Sequence, residues 1–229
     1  MPDANFLLAA LAVFLSHAVP SWPGLREVLR VKLGRAGFGA LHGLGSTAAL
    51  TWLILAYRAQ ESREMLFVPA DWAPGLAVAL TPVAFVLIAL RLACPPGELT
   101  APKPPSGIYR LTRAPGALGT LLWALLHLQA TGDGVRVALF GLFALIAGFS
   151  LLKNHYALTR SQDAAARTFL NETALLPGWA LLRRRTRFVS AEWRAWRPLL
   201  GVAAGLTAWA LMLALHPVLF GVDPLALAR

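Results

Sequence analysis

The chain has 229 residues, 57% of them apolar and only 14% charged, with a mean hydropathy of +0.60. A soluble domain carries about 45–50% apolar and about 25% charged residues, so this chain has too few polar side chains to coat a water-facing surface. The single cysteine, Cys94, closes no internal bridge and excludes a disulfide scaffold, and the apolar content excludes intrinsic disorder. The net charge of +10 sits on the flanks of apolar runs, which argues against a nucleic-acid surface.

A helix needs roughly 20 mainly apolar residues to cross a bilayer core of about 30 Å. Six runs qualify or come close, at residues 4–20, 38–57, 74–93, 115–130, 135–152 and 198–219. Each is a block of Leu, Ala, Val and Phe without the in–out alternation of barrel strands. The lead-in Met1-Pro2-Asp3-Ala4-Asn5 is acidic rather than basic, so the first run is expected to be a retained span, not a cleaved signal. Gly39 with Gly43, and Gly201 with Gly205, have the small-xxx-small spacing that lets membrane helices approach closely. Between the third and fourth runs, Cys94 to Thr112 contains Pro95, Pro96, Pro102, Pro104 and Pro105 and reads as a stiff extended stretch. Thr131-Gly132-Asp133-Gly134 is a tight turn that makes the fourth and fifth runs a hairpin. Residues 154–197 mix Trp179, Phe188, Trp193 and Trp196 with Arg183, Arg184, Arg185 and Arg187, a composition suited to helices lying on an anionic leaflet.

Loop cations give the orientation. With the N-terminus outside, seventeen Lys and Arg fall inside and four outside: Arg58, Arg63, Arg136 and Arg229. The expected architecture is therefore all-α: one integral membrane domain over 1–229, a bundle of about six spans with both termini outside and a basic amphipathic segment at the cytoplasmic face. The expected location is a bacterial inner membrane.

Polar side chains inside spans are costly and mark function. No Asp or Glu falls well inside a run, but His17, His42, His127 and His216 lie in or at the edges of runs, and His155 just past the fifth. A neutral imidazole is a good axial ligand for haem iron. An imidazole bonded to a neighbouring helix, or reaching to the interface, is the other reading, and both stay open on the residues alone. The stretch Ser106-Gly107-Ile108-Tyr109-Arg110-Leu111-Thr112-Arg113-Ala114-Pro115 leads into the fourth run, with Pro115 suited to a first helical turn. The spacing places Arg110 and Arg113 on one helical face beside that start, either as an anion site for a phosphate, carboxylate or haem propionate, or as ordinary positive-inside anchors.

Gly107 to Gly141, reading GIYRLTRAPGALGTLLWALLHLQATGDGVRVALFG, resembles the core motif of the NnrU family. The members of this family are membrane proteins associated with bacterial denitrification and homologous to 15-cis-ζ-carotene isomerase. The likeness extends to His17, to Gly34-Arg35, and to the ending Leu215-His216-Pro217-Val218-Leu219-Phe220-Gly221-Val222-Asp223-Pro224. Asn154 to Leu182, with Glu172-Thr173-Ala174-Leu175-Leu176-Pro177, looks more like the isomerase branch. The resemblance implies a haem b whose iron ligands are His17 and His127. It implies a redox or sensing role in nitrite and nitric oxide metabolism, or else haem-dependent cis–trans isomerisation of a carotenoid-like polyene. The chain departs from its relatives at Ala114, where an Arg-His-Pro histidine is expected, and at Ala124, where the isomerase has cysteine. The Gly-Ile-Tyr-Arg-Leu-Thr-Arg motif also resembles isoprenylcysteine-type methyltransferases. A non-catalytic assembly factor, binding a protein partner at the basic face, is a further class.

Helical rise sets a second expectation. At 1.5 Å per residue His17 lies about 20 Å in from the outer end of the first span and His127 about 6 Å from that same surface. Straight spans therefore level His127 with His216 near the outside, and His17 with His42 and His155 near the inside.

Overall fold

The computed structural model describes residues 1–60, 64–98 and 101–228. Arg63 and Arg229, two of the cations assigned to the outer side, lie outside the described residues, as do Leu99 and Thr100 of the proline-rich stretch. The chain is 74% helix, with no strand among the described residues. The long elements are α1 (Ala4–Ala18), α2 (Pro23–Arg58) and α3 (Trp72–Ala93), then α4 (Ile108–Leu111) as one short turn, α5 (Pro115–Ala130) and α6 (Gly134–Arg160). Three small helices follow, α7 (Ala164–Glu172), α8 (Trp179–Leu182) and α9 (Ser190–Trp193), before α10 (Trp196–Phe220) and α11 (Pro224–Leu227).

Four helices, Gly24–Arg58, Trp72–Ala93, Gly134–Arg160 and Trp196–Phe220, are long and apolar enough to cross a membrane. Their apolar side chains point outward: Leu55, Leu92, Leu145, Leu152 and Leu211 are all exposed. Such a surface is costly in water and is satisfied by lipid, which makes this a membrane protein. The first and fourth apolar runs also fold as helices. At 15 and 16 residues, α1 and α5 extend only about 22–24 Å, short of a bilayer core.

Helix boundaries depart from the apolar runs where cations are tolerated on a helix surface. Arg26, Arg30, Lys32 and Arg35 read as a loop, yet they lie in the first part of α2, which bends at Gly34 (φ 70°, ψ 170°). This left-handed backbone suits glycine. The fifth run ends at 152, but its helix continues to Arg160 and carries His155 with it. The proline-rich stretch is not extended throughout. Gly97 pairs with Pro102 and the Lys103 N–H donates to the Pro96 carbonyl at 2.7 Å, folding the chain back on itself.

One apolar core forms where Phe6, Ala9 and Val13 of α1 meet Ala49, Leu53 and Ala56 of α2 and Val135 and Leu142 of α6. On the other side α3 lies between α5 and α10. Close approach there depends on glycine. A Cβ on Gly205 would stand 2.7 Å from Val86 Cα, and one on Gly119 would stand 2.7 Å from the Ala84 carbonyl oxygen. Gly39 and Gly43, by contrast, have open space beside them, so the small-residue pair in α2 packs against no neighbour among the described residues.

Candidate functional site

The two ends of the bundle can be told apart by their contacts. At one end Asp3 N–H donates to Gln60 Oε1, and the Leu66 N–H and the Gly134 N–H exchange bonds with the carbonyls of Gly132 and Glu64. Asp133, only 3% exposed, caps α6 through the Arg136 N–H at 2.9 Å and pairs with the Arg136 guanidinium at 3.3 Å. The tight turn at 131–134 joins α5 and α6 as the sequence suggests. His127 lies one turn before Thr131, at this end. His17 lies fourteen residues beyond Asp3, about 21 Å along the rise of α1, at the other.

The structure therefore does not bring His17 and His127 together. It places the His17 ring 6.1 Å from that of His42, which stacks on Phe38 at 6.0 Å. It places His127 and His216 in the wall of one cavity of about 540 Å³, between α2, α6 and α10. Leu53, Leu139, Phe140 and Phe143 line that cavity, with Tyr57, Arg58 and Arg136 at its polar margin. A second cavity of about 110 Å³, bordered by Thr81, Phe85, Trp123 and Trp209, also includes both histidines. Of the sets that helical rise levels, His127 borders one cavity with His216 and His17 lies beside His42, whereas His155 lines a separate cavity.

His127, His216 and His17 are each held in one orientation by a backbone carbonyl. His127 Nδ1 lies 2.8 Å from the Trp123 carbonyl and the ring lies 4.6 Å from Phe140. α10 ends at Gly221 in the left-handed conformation (φ 69°), and the reversal brings the Val222 carbonyl to 2.8 Å from His216 Nδ1. His17 Nδ1 lies 2.9 Å from the Val13 carbonyl. A carbonyl only accepts, so Nδ1 carries the proton in all three, and Nε2 presents its lone pair. Metal-ligating histidines are held in the same way. No group of three or more His, Cys, Asp or Glu side chains suited to a bare metal ion occurs among the described residues.

The arginine motif divides. Gly107 (φ 53°) starts α4, Thr112 is extended (φ −149°), and so Arg110 and Arg113 do not share a helical face. Arg110 donates to both Glu192 oxygens at 2.8 Å and to Thr186 Oγ1 at 2.9 Å, while Glu192 also accepts the Gly107 N–H at 2.6 Å. Thr112 Oγ1 donates to the Leu175 carbonyl and Arg113 N–H to that of Ala174, both at 2.8 Å. GIYRLTR thus works as a clip that fastens residues 174–192 to the start of α5. Arg113 instead faces a separate cavity of about 520 Å³. Its Nε and the Tyr109 hydroxyl are buried without a hydrogen-bond partner among the described residues, and burial pushes the Tyr109 pKa up to about 12.

The Arg110 hydrogen bond holds the Glu192 carboxyl below its ordinary range, and the Gly107 N–H adds to this. A depressed carboxyl stabilises above its unfolded pKa and loses that contribution as pH falls through its folded one. Docking of the 174–192 segment is therefore expected to be complete at neutral pH and to be lost on acidification below the usual glutamate range. Glu192→Gln should loosen it at all pH values, with both effects read by limited proteolysis after Arg183–Arg185.

The sequence does not single out Arg58, Arg136 or Glu192, nor Arg26, Arg91 and Lys153, which line the same cavity as Arg113. A local signal existed for Arg136 alone, three residues after Asp133. A family model described as NnrU protein matches residues 6–224. No curated protein and no solved structure matches the chain.

Proposed function

The chain belongs to the NnrU family, and from that premise we propose that it is a haem b protein of the bacterial inner membrane with a redox or sensing role in nitrite and nitric oxide metabolism. The observation that carries this reading is the apolar cavity lined by both His127 and His216, whose Nδ1–carbonyl bonds leave each Nε2 free to ligate. Its volume of about 540 Å³ lies within the roughly 300–1,000 Å³ typical of ligand and cofactor sites. The donor set suits haem: two imidazoles oriented by backbone carbonyls, aromatic walls from Phe140 and Phe143, and Arg58 and Arg136 at the margin for carboxylates. Haem held there supplies one-electron redox chemistry. His127 is shared with the pair the resemblance implies; His216 replaces His17 as its partner, and His17 with His42 is the alternative set. In this reading α1 and α5, each short of the core by itself, make up six spans together with the residues that flank them, with both termini outside and the α7–α9 segment against the cytoplasmic leaflet.

Purified full-length protein, expressed with added haem precursor, is expected to show a Soret band that shifts on dithionite reduction. A folded but colourless preparation overturns the haem reading and leaves an assembly role at the basic face. The second reading is a polyene isomerase. It is favoured by the smaller apolar cavity, which borders the same two histidines and lengthens the space open to an apolar ligand. Conversion of an added cis-polyene only after reduction would select it.

A further inference from the structure

The cavity of about 520 Å³ at the other end of the bundle draws its walls from elements that are distant in sequence. α2 contributes Arg26, Glu27 and Arg30, α3 contributes Arg91, and the link before α5 contributes Arg113. α6 contributes Ser150, Lys153 and Asn154, which share a helical face. Of the five cations, Arg30 is paired with Glu98 at 3.3 Å, whereas Arg26, Arg91, Arg113 and Lys153 have no carboxylate partner among the described residues.

Ordinary positive-inside anchors spread outward to lipid phosphates. These four converge on a walled space instead. Their convergence is built in: Gly116 leaves room for the Arg91 stem, and a Cβ there would meet Arg91 Cγ at 2.8 Å. Pro115 has no N–H, and the first intrahelical bond of α5 is from the Leu118 N–H to the Ala114 carbonyl. The N–H groups of Gly116 and Ala117 are thus without helical acceptors, and both residues border the cavity. Arg26 and Arg91 are exposed at its mouth, whereas Lys153 is half-buried and the Arg113 Nε is buried with no partner among the described residues, which is unfavourable unless an anion joins it. Phe169, Leu158, Ile146 and Leu175 give the rest of the wall an apolar character.

We propose that this cavity binds a phosphate-bearing ligand, with Arg113, Arg91, Arg26 and Lys153 on its oxygens and the first-turn N–H groups of α5 completing the grip. A phosphate offers three or more acceptor oxygens and up to two charges, and so engages several cations at once where a carboxylate does not. The ligand is a phospholipid headgroup entering from the leaflet or a soluble phosphate ester. The site is separate from the proposed haem cavity, because Pro115, at the start of α5 beside Arg113, and His127 are twelve residues apart, about 18 Å along the helix.

Two probes test this on the detergent-purified full chain. Inorganic phosphate is titrated calorimetrically at low salt against acetate, and the protein is reconstituted with phosphatidic acid or phosphatidylcholine and its retained lipid measured by native mass spectrometry. Binding of phosphate in the absence of lipid assigns a soluble ligand, and selective retention of phosphatidic acid without a phosphate response assigns a headgroup. Either response should fall about tenfold or more in Arg113→Gln and in Lys153→Gln, and should be unchanged in the exposed control Arg187→Gln. If those variants do not fold, Asn154→Leu, which fills the cavity without removing charge, should give the same loss. No response to either probe, or an equal loss in Arg187→Gln, overturns the proposal. So does loss of haem from Arg113→Gln with phosphate binding intact.

Discussion

His127→Ala is expected to leave less than about a tenth of the haem bound per polypeptide, because an axial ligand is lost outright where removal of a group that only orients such a ligand costs about 10–100-fold. His216→Ala should do the same, while His17→Ala and His42→Ala should retain most of it. The asymmetry follows from placement. His127 and His216 border one apolar cavity, whereas His17 lies against His42 at the far end of α1. Haem per polypeptide, by pyridine haemochrome against protein mass, reads the outcome. Loss in His17→Ala and His42→Ala with retention in the other two transfers the ligand set to the inner pair. Retention in all four removes the histidine-ligated haem altogether.

Gly132→Ala is expected to lower the thermal unfolding midpoint in detergent by about 5–10 °C, corresponding to overpacking that costs about 3 kcal/mol in a chain of this size. A Cβ at Gly132 would lie 1.8 Å from the Phe67 carbonyl oxygen, which is backbone and cannot swing aside. The 64–67 segment must move, and with it go the bonds from the Leu66 N–H to the Gly132 carbonyl (2.8 Å) and from the Gly134 N–H to that of Glu64 (2.9 Å). Thr131 and Arg136, at the margin of the histidine cavity, flank the displaced turn, so haem affinity should fall along with stability. An unchanged midpoint would mean that the segment is not packed on this turn.

What the sequence made legible were the properties that depend on nearest neighbours along the chain. Apolar content over twenty residues marked the membrane helices, and α5 begins and ends where its run does, at Pro115 and Ala130. Helical rise is likewise local, which is why depth alone matched His127 with His216. The same rule misled at Arg110 and Arg113, because it assumed a continuous helix through Thr112, whose extended backbone turns the two guanidinium groups apart. The start of α2 was missed because its cations resemble a loop, although a helix accepts them readily on an exposed face. Glu192 and the cations around Arg113 gave no signal at all, since each finds its neighbours across tens of residues.

The clip between residues 107–114 and 174–192 has a consequence for biogenesis. Arg110 and Glu192 are 82 positions apart, and Phe169 and Leu175, which close the cationic cavity, are made long after Arg91 and Arg113. A ribosome adding about 5–20 residues per second leaves that chamber unroofed for several seconds after α5 has been translated. Throughout that interval Arg26, Arg91 and Arg113, joined later by Lys153, face the translocon and its surrounding lipid without that wall. An anion can already gather on these arginines then, and the chamber takes its final shape only as residues 169–175 dock over it.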